Sequence, residues 1–596
     1  MAVTEVRTPS DAAAPAMSGA QVRPTLPSRR RTAALLAGVA FCMLWPFPSY
    51  EQINNPNENV RFYMSVAMVE DGSYQIDGPW RRWGWVNDAA ELAGRHYSVK
   101  APLTSWLGAP AYAAYLAFCE ATGRAPQRLE ALWATRVLAS ILPWLLCLYA
   151  LHRWLGRWTS SPLLRDALWL TLALGSLLYG YSLILTSHTL AAACSVGALM
   201  LLAQTPARPR PEAGSQEPAV AAPGLGWRRA GLAGLLAAGA TAAEYPAIVA
   251  SVPLTLLAAW VLRTLPDRLG FLCGAALPTL GVMHFQWSAF GHPLRPGHLF
   301  LENKAFAAIH AHGVYGADGF YPEAAGGLLF DPGFGLFPLS PLLLPALVGM
   351  VWLARPPRHD ALFQHASTRS AARTAAVIAA LGWLTTSMLM NWRGGWTIGP
   401  RYLAPFVPLC GLAALVALEQ GYRRFPRATE GFAVGALAVG LMASAWPSAY
   451  YPHIPEAIVR PLPQLMVPLW RQGLVPRNAG QWLGLEGNAS MAPWALALLL
   501  LFAAVVTSAS WPKLPLPLSR KLLMAGPIWS VRLLIGAIVA AALGMPLWAL
   551  PRQHDAAAVA REVAFITRTW SPAVDRGAGA AEAADPGHRR PSARRR

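Results

Sequence analysis

The sequence predicts an all-α polytopic membrane protein with about thirteen transmembrane helices and a long first extracytoplasmic loop. Three observations lead there. Of its 596 residues, 54% are hydrophobic and only 13% are charged, where a soluble domain carries roughly 25% charged residues. Apolar runs long enough to cross a hydrocarbon core, about 20 residues each, recur along most of the chain. Lys and Arg (49) exceed Asp and Glu (30), a formal net charge of +19, and the basic residues cluster between those runs. On a soluble protein that balance suggests nucleic acid. Between apolar runs it is a topology signal, so no nucleic-acid partner is expected.

The elements follow in order. Residues 1–32 form a basic, disordered cytoplasmic N-terminus that ends at Arg29-Arg30-Arg31. The next run, 33–50, has no small-residue cleavage site after it and reads as a retained first transmembrane helix. Further runs lie at 133–152, 163–184, 188–204, 230–244, 245–262, 270–289, 334–354, 374–391, 402–418, 431–448, 493–511 and 528–550. The stretch 101–119 is long enough to span. Placing it in the interface instead puts His152-Arg153, Arg208–Arg210 and Arg423-Arg424 on the cytoplasmic side, as positive charge prefers. The domains are then a 51–132 extracytoplasmic loop, a 133–418 transmembrane core, C-terminal transmembrane helices over 419–550, and a polar tail 551–596, disordered from about 571. Six cysteines (Cys42, Cys119, Cys147, Cys194, Cys273 and Cys410) sit in or beside apolar runs without metal-ligand spacing, which marks inert thiols.

The chemistry is expected in the 51–132 loop. Val60, Met64, Ala67 and Met68 share a helical face, predicting an amphipathic helix with Asn57 as N-cap and Glu58 in its first turn. The helix dipole favours the ionised carboxylate there, and such a group accepts protons; support of the helix start alone explains it equally well. Arg61 lies one turn on, Lys100 precedes the 101–119 helix, and Arg401 closes the external turn Gly394-Gly395-Trp396-Thr397-Ile398-Gly399-Pro400. Together these cations suit a phosphate leaving group; singly, each is an ordinary interfacial anchor. Asp88 is a second external carboxylate for sugar or acceptor hydroxyls. His188 stands at an outer turn, and Glu244 lies between two short runs, where an ionisable group is a functional candidate. His292, His298, His310 and His312 fit no zinc spacing. No metal ligands are assigned, and a divalent metal has no support.

The order Asn57-Glu58-Asn59-Val60-Arg61-Phe62-Tyr63, Gly72-Ser73-Tyr74, then His96-Tyr97-Ser98-Val99-Lys100-Ala101-Pro102 resembles the first external loop of GT-C glycosyltransferases. It is most like the lipid A aminoarabinose transferases and protein O-mannosyltransferases, whose loop reads Asp-Glu-x-x-Arg-Tyr, Gly-Asp-Trp and Lys-Pro-Pro. The likeness is strongest over about 50–205. It implies transfer of a sugar from a polyprenyl-phosphate donor to a lipid, glycan or protein hydroxyl, with inversion, at the extracytoplasmic face of the inner (plasma) membrane. It also implies Glu58 as the catalytic carboxylate and Lys100 beside the donor phosphate. The family's Asp-Glu pair is Asn57-Glu58 here, and His188 stands where relatives often carry Asp. Membrane lipid and the lipid-phosphate-linked sugar are the expected partners, with no separate cofactor assigned. A transporter or flippase of lipid-linked saccharides, and a non-catalytic assembly protein of the same fold, are the alternatives the sequence leaves open.

Overall fold

A computed structural model describes residues 26–50, 55–205, 224–355, 366–508, 518–551 and 555–570. The Arg208–Arg210 loop, most of the basic N-terminus and the tail from 571 lie outside these residues. The chain is overwhelmingly helical. Among the described residues, six helices are long and apolar enough to cross a membrane: Arg128–Leu155, Leu265–Phe290, Arg401–Arg424, Pro426–Tyr450, Gly487–Val506 and Ser530–Trp548.

The other expected spans are shorter or interrupted, for identifiable reasons. The 334–354 run breaks into Leu336–Leu339, Pro341–Leu343 and Ala346–Ala354, because Pro338, Pro341 and Pro345 remove backbone donors in succession. The 163–184 run divides into Pro162–Ala173 and Leu177–Ser182. At the break Gly175 packs on Gly440, where a Cβ would lie 3.6 Å from that residue's carbonyl carbon. Glu244-Tyr245-Pro246 separates Trp227–Ala243 from Ile248–Val261. Among the described residues, six full-length apolar helices alternate with shorter or broken apolar ones such as His188–Leu202, Tyr245–Val261 and Pro341–Ala354.

The outer segment has a small core of its own. Helix α1 (Arg29–Leu44) leads through strand β1 (Pro46–Phe47) towards α2 (Pro56–Glu70) and α3 (Asp77–Trp83). Strands β2 (Ala89–Leu92) and β3 (Arg95–Ser98) form an antiparallel hairpin, and α4 (Leu103–Thr122) follows. Strand β4 (Arg477–Asn478) pairs with β1. Val60, Phe62, Met64, Ile76, Val86 and Tyr97 cluster with Phe285 and Phe290, so this segment packs as a structured cap. Helix α2 is buried from Glu58 to Ala67 on all sides, and not along one face as the apolar spacing suggests. Its N-cap is Asn55, whose side chain accepts from Glu58 N at 3.3 Å, two residues before the expected Asn57. Pro56 takes the first helical position, where its missing N–H costs nothing.

Polar side chains collect at two opposite ends. At one, Asp166 accepts from Arg165 Nε at 2.7 Å and Arg31 Nε at 3.0 Å, and its other neighbour is His152 Nε2 at 2.9 Å. Thr32 meets the second nitrogen of His152 at 3.0 Å, linking α1 to two further helices. Glu419 at the same end accepts from Thr159 Oγ1 (2.7 Å) and Ser160 N (3.0 Å), satisfying the connection before Pro162–Ala173. The opposite end holds the 51–132 segment, the Leu185–His188 turn, Glu244, the Arg401 turn, His453 and the C-terminal helix Ala556–Trp570. That helix, within the expected polar tail, is ordered against the body: Trp570 Nε1 donates to Val475 O at 2.9 Å and its ring lies 4.8 Å from that of Tyr50.

Replacing Asp166 with Ala should remove the carboxylate that Arg31, His152 and Arg165 share, which costs about 3–5 kcal/mol for a buried pair. Thermal unfolding in detergent should show a clearly lowered midpoint. An unchanged midpoint would contradict the assignment of Asp166 as a staple.

Candidate active site at the outer end

A cavity of about 2040 Å³ opens at the end of the molecule that carries the 51–132 segment. Its wall includes Asn57, Glu58, Trp83, Trp85, Asp88, Arg128, Trp396, Arg401 and His453, together with Arg561, Glu562, Phe565 and Arg568 from the C-terminal helix. The volume exceeds the usual range of small-molecule pockets, about 300–1,000 Å³, and suits a substrate with an extended headgroup.

Glu58 is 4% exposed and fully engaged. Its Oε1 accepts from Arg136 Nε at 2.6 Å and from Leu185 N at 2.6 Å, and its Oε2 accepts from Arg136 Nη2 at 2.7 Å. Burial alone would raise its pKa; Arg136, the Leu185 N–H and His453 instead hold the carboxyl below its ordinary value. Arg136 also donates to Pro48 O at 3.2 Å. The partner of Glu58 is thus Arg136, and not Arg61 one turn along.

Arg61 turns the other way. It is 1% exposed and donates to Asn57 O at 2.8 Å, to the Asn57 side chain, to Ser187 Oγ at 2.7 Å and to Glu244 Oε2 at 3.5 Å. Ser187 also donates to Glu244 Oε2, and His188 Nδ1 lies 3.6 Å from the same oxygen. Burial pushes the Glu244 carboxyl up, but His188, Arg61 and Ser187 bring it below its ordinary value. His188 is buried, with no hydrogen-bond partner on either ring nitrogen among the described residues and its ring edge-on to Tyr181 at 4.6 Å.

The β2–β3 hairpin creates the third feature. Ala93 (φ 52°) and Gly94 (φ 74°) form its two-residue turn, the left-handed pair that matches strand twist. The register Ala89↔Ser98 places Asp88 across from Val99, whose N–H donates to Asp88 O at 3.4 Å. One residue further, Lys100 Nζ lies 3.0 Å from Asp88 Oδ2, with 14% and 16% of the two side chains exposed. Burial again opposes ionisation of Asp88; Lys100, then Arg401 and Arg61, overcome it and hold the carboxyl below its ordinary value. The other oxygen, Oδ1, has no partner among the described residues.

Arg401 stacks over the Tyr402 ring at 4.9 Å and donates to its hydroxyl at 3.1 Å, while its Nε is buried and unpartnered. Gly394 makes room for it: at φ +74° a Cβ there would meet Arg401 Nε at 2.6 Å. All six residues singled out from the sequence thus gather at this end. Glu58, Asp88 and Arg401 line the cavity, while Arg61, Lys100 and His188 stand behind its wall.

Sequence reasoning missed several contributors. Arg136 gave no signal, because it sits within an apolar run and its partner is 78 residues away. His453 and the arginines of the C-terminal helix are also distant in sequence. The i, i+4, i+7 spacing of Arg561, Phe565 and Arg568 was the available clue. His298 and His310 approach within 5.1 Å between ring centroids, but no group of three or more metal-ligating residues forms among the described residues.

No protein-family model matches the chain, and no curated protein matches it. Among solved structures it is similar to ArnT from Cupriavidus metallidurans bound to undecaprenyl phosphate, at 17% identity over 87% of this chain and 77% of that one, with a TM-score of 0.43. It is also similar to the arabinosyltransferase EmbB from Mycobacterium smegmatis, at 13% identity over 92% and 44%, TM-score 0.40. The oligosaccharyltransferase from Archaeoglobus fulgidus follows at 11% identity over 74% and 57%, TM-score 0.36. All three belong to the GT-C superfamily that the outer-loop motifs resemble. At TM-scores below 0.5 these likenesses carry no weight for the chemistry of the site.

Burial lowers His453 to about 4 and His298 to about 3, so both are neutral in the folded protein near pH 7. The unfolded chain takes up protons there from about pH 6.5 downward, and its carboxylates follow near pH 4.3, while Glu58, Asp88 and Glu244 stay ionised when folded. Stability is therefore fully present near neutrality and should fall as pH drops from 6.5 through 4. His453→Gln should flatten the upper part of that decline in thermal unfolding; an identical profile would exclude His453 as a contributor.

Proposed function

We propose that the protein is a membrane glycosyltransferase that moves a sugar from a polyprenyl-phosphate donor to an acceptor hydroxyl, with inversion, on the extracytoplasmic face. The observation that carries this reading is the juxtaposition of Lys100 and Arg401 with Asp88 at a large outer cavity. Two cations beside a buried carboxylate provide both halves of the chemistry: stabilisation of a leaving phosphate and a group that accepts a proton.

Lys100 and Arg401 hold the phosphate. Arg401 Nε has no hydrogen-bond partner among the described residues, and the ammonium of Lys100 donates in three directions. Helix α4 begins just after Lys100 with no side-chain cap, so the positive end of its dipole adds to the field. Arg61, already engaged by Asn57, Ser187 and Glu244, acts from behind as a fixed charge. Trp83, Trp85 and Trp396 line the same cavity, where a sugar would be bound. As phosphate leaves, the developing negative charge is met by groups already in place, with little reorganisation.

Glu58, first expected to be the catalytic carboxylate, takes a different role in this reading. With three donors on its two oxygens, it anchors α2 to Arg136 and the Leu185 turn, so Glu58→Gln should lose thermal stability along with activity. A transporter tends to place ionisable groups near the bilayer midplane; here they gather at the two ends of the helices, and those that line the large cavity lie at one of them, which favours the enzyme.

Purified protein, radiolabelled polyprenyl-phosphate sugars and a crude membrane extract as acceptor test the proposal. Wild type should move label, and Lys100→Ala and Arg401→Ala should each weaken undecaprenyl phosphate binding about tenfold, on the order of 1.4 kcal/mol. Binding undisturbed in both variants would remove these residues from the phosphate site, and a wild type that moves no sugar from any donor would remove the enzyme reading.

A further inference from the structure

Counting the partners of each carboxylate oxygen separates the acids at this end. Both oxygens of Glu58 are taken by Arg136 and Leu185 N. Glu244 has Oε2 crowded by Ser187, Arg61 and His188, and it does not line the cavity. Glu456 and Glu562 line the cavity from the 449–492 segment and the C-terminal helix, away from the Lys100 turn. Asp88 alone combines a place on the cavity wall, one oxygen bound to a phosphate-site cation, and one oxygen without a partner among the described residues.

We infer that Asp88 is a counter-ion that exchanges places with the donor phosphate: it holds Lys100 in the empty site, yields it when the phosphate arrives, and then accepts the proton of the attacking hydroxyl. This inference rests on the donor reading given above.

The argument is one of charge competition. A lysine ammonium is a compact point charge on a flexible stem, able to move between two anions a few ångströms apart. Its paired anion in the structure is Asp88 Oδ2, at 3.0 Å. The donor phosphodiester carries one negative charge, as the carboxylate does, but it meets Lys100 and Arg401 together, and a second negative charge develops on it as the sugar leaves. Once Lys100 turns to the phosphate, Asp88 loses its closest cation while remaining desolvated, and both changes raise its proton affinity. The base is thus weak without donor and stronger with it, which couples proton removal to a loaded site. The hairpin makes this possible, since its register fixes Asp88 beside Lys100 by backbone pairing, whichever partner the lysine holds.

The step balances as a single displacement. The acceptor O–H bond breaks and its proton goes to a carboxylate oxygen of Asp88. The acceptor oxygen bonds to the anomeric carbon as the bond from that carbon to the phosphate oxygen breaks, and its electron pair leaves on the polyprenyl phosphate. Lys100 and Arg401 retain that anion until it diffuses away.

A role for Asp88 in mere support of the fold predicts that its loss weakens everything together. The exchange predicts opposite signs. Asp88→Asn removes the competitor for Lys100, so undecaprenyl phosphate should bind about tenfold more tightly, while sugar transfer should fall by about 100-fold or more through loss of the base. Asp88→Glu keeps a carboxylate and should return binding towards wild type with part of the transfer restored. It carries the same comparison should Asp88→Asn fail to fold. Equal or weaker binding by a folded Asp88→Asn protein would overturn the exchange, and retained transfer would overturn the proton-acceptor role. A wild type that neither binds undecaprenyl phosphate nor transfers sugar would instead overturn the donor reading itself, and Asp88's role with it.

Discussion

The bidentate pair of Glu58 with Arg136 is the contact on which the outer end of the molecule depends. Neither charge is tolerated alone at that depth, because desolvation costs several kcal/mol per ion and is recovered only with good geometry and further hydrogen bonds. Here those conditions are met: three donors converge on the carboxylate, and Arg136 also donates to Pro48 O. The pair joins α2, the long helix Arg128–Leu155 and the Leu185 turn. Helix α2 is therefore seated on the transmembrane body at its first turn, and every residue after Glu58 inherits its place from that seat. Arg61, one turn along, is thereby aimed at Ser187 and Glu244.

The same end carries more positive charge than it can leave unbalanced. Arg61 is matched by Glu244, Lys100 by Asp88, and Arg136 by Glu58. These pairs differ in what they leave available. The Glu58 carboxylate has both oxygens engaged by Arg136 and Leu185 N and works as structure. The Asp88 pair is open to the cavity and made by a flexible lysine, so an incoming anion can replace one member without unfolding anything. A site of this kind is stable when empty and becomes reactive when filled. The C-terminal helix adds Arg561, Phe565 and Arg568 to the cavity wall, so one part of that wall is built from residues nearly five hundred positions away from Asp88.

Much of this was legible in the sequence, and the parts that were not have physical reasons. The helical membrane class followed from composition and run length, because a bilayer demands long apolar helices. The gathering of Glu58, Arg61, Asp88, Lys100, His188 and Arg401 at one end followed from alternating the runs and basic loops. Apolar content did not reveal where runs break: Pro338, Pro341 and Pro345 lie inside a run as hydrophobic as its neighbours. The start of α2 was missed by two residues because Asn55 and Asn57 are equally good caps, and Pro56 decides between them. Arg136 was invisible because its partner is brought close only by folding. The hairpin was missed because Ala93-Gly94 is a weaker turn signal than Asn-Gly, although without it Asp88 and Lys100 would be unrelated loop residues.

The central claim is that Lys100 serves Asp88 in the empty site and the donor phosphate in the filled one. The most direct measurement is an experimental structure of the wild-type protein with undecaprenyl phosphate bound. The account predicts phosphate density against Lys100 and Arg401, with the lysine ammonium turned away from Asp88 and the Glu58–Arg136 pair unchanged. Phosphate bound elsewhere, or bound with the Lys100–Asp88 contact still intact at 3.0 Å, would contradict it.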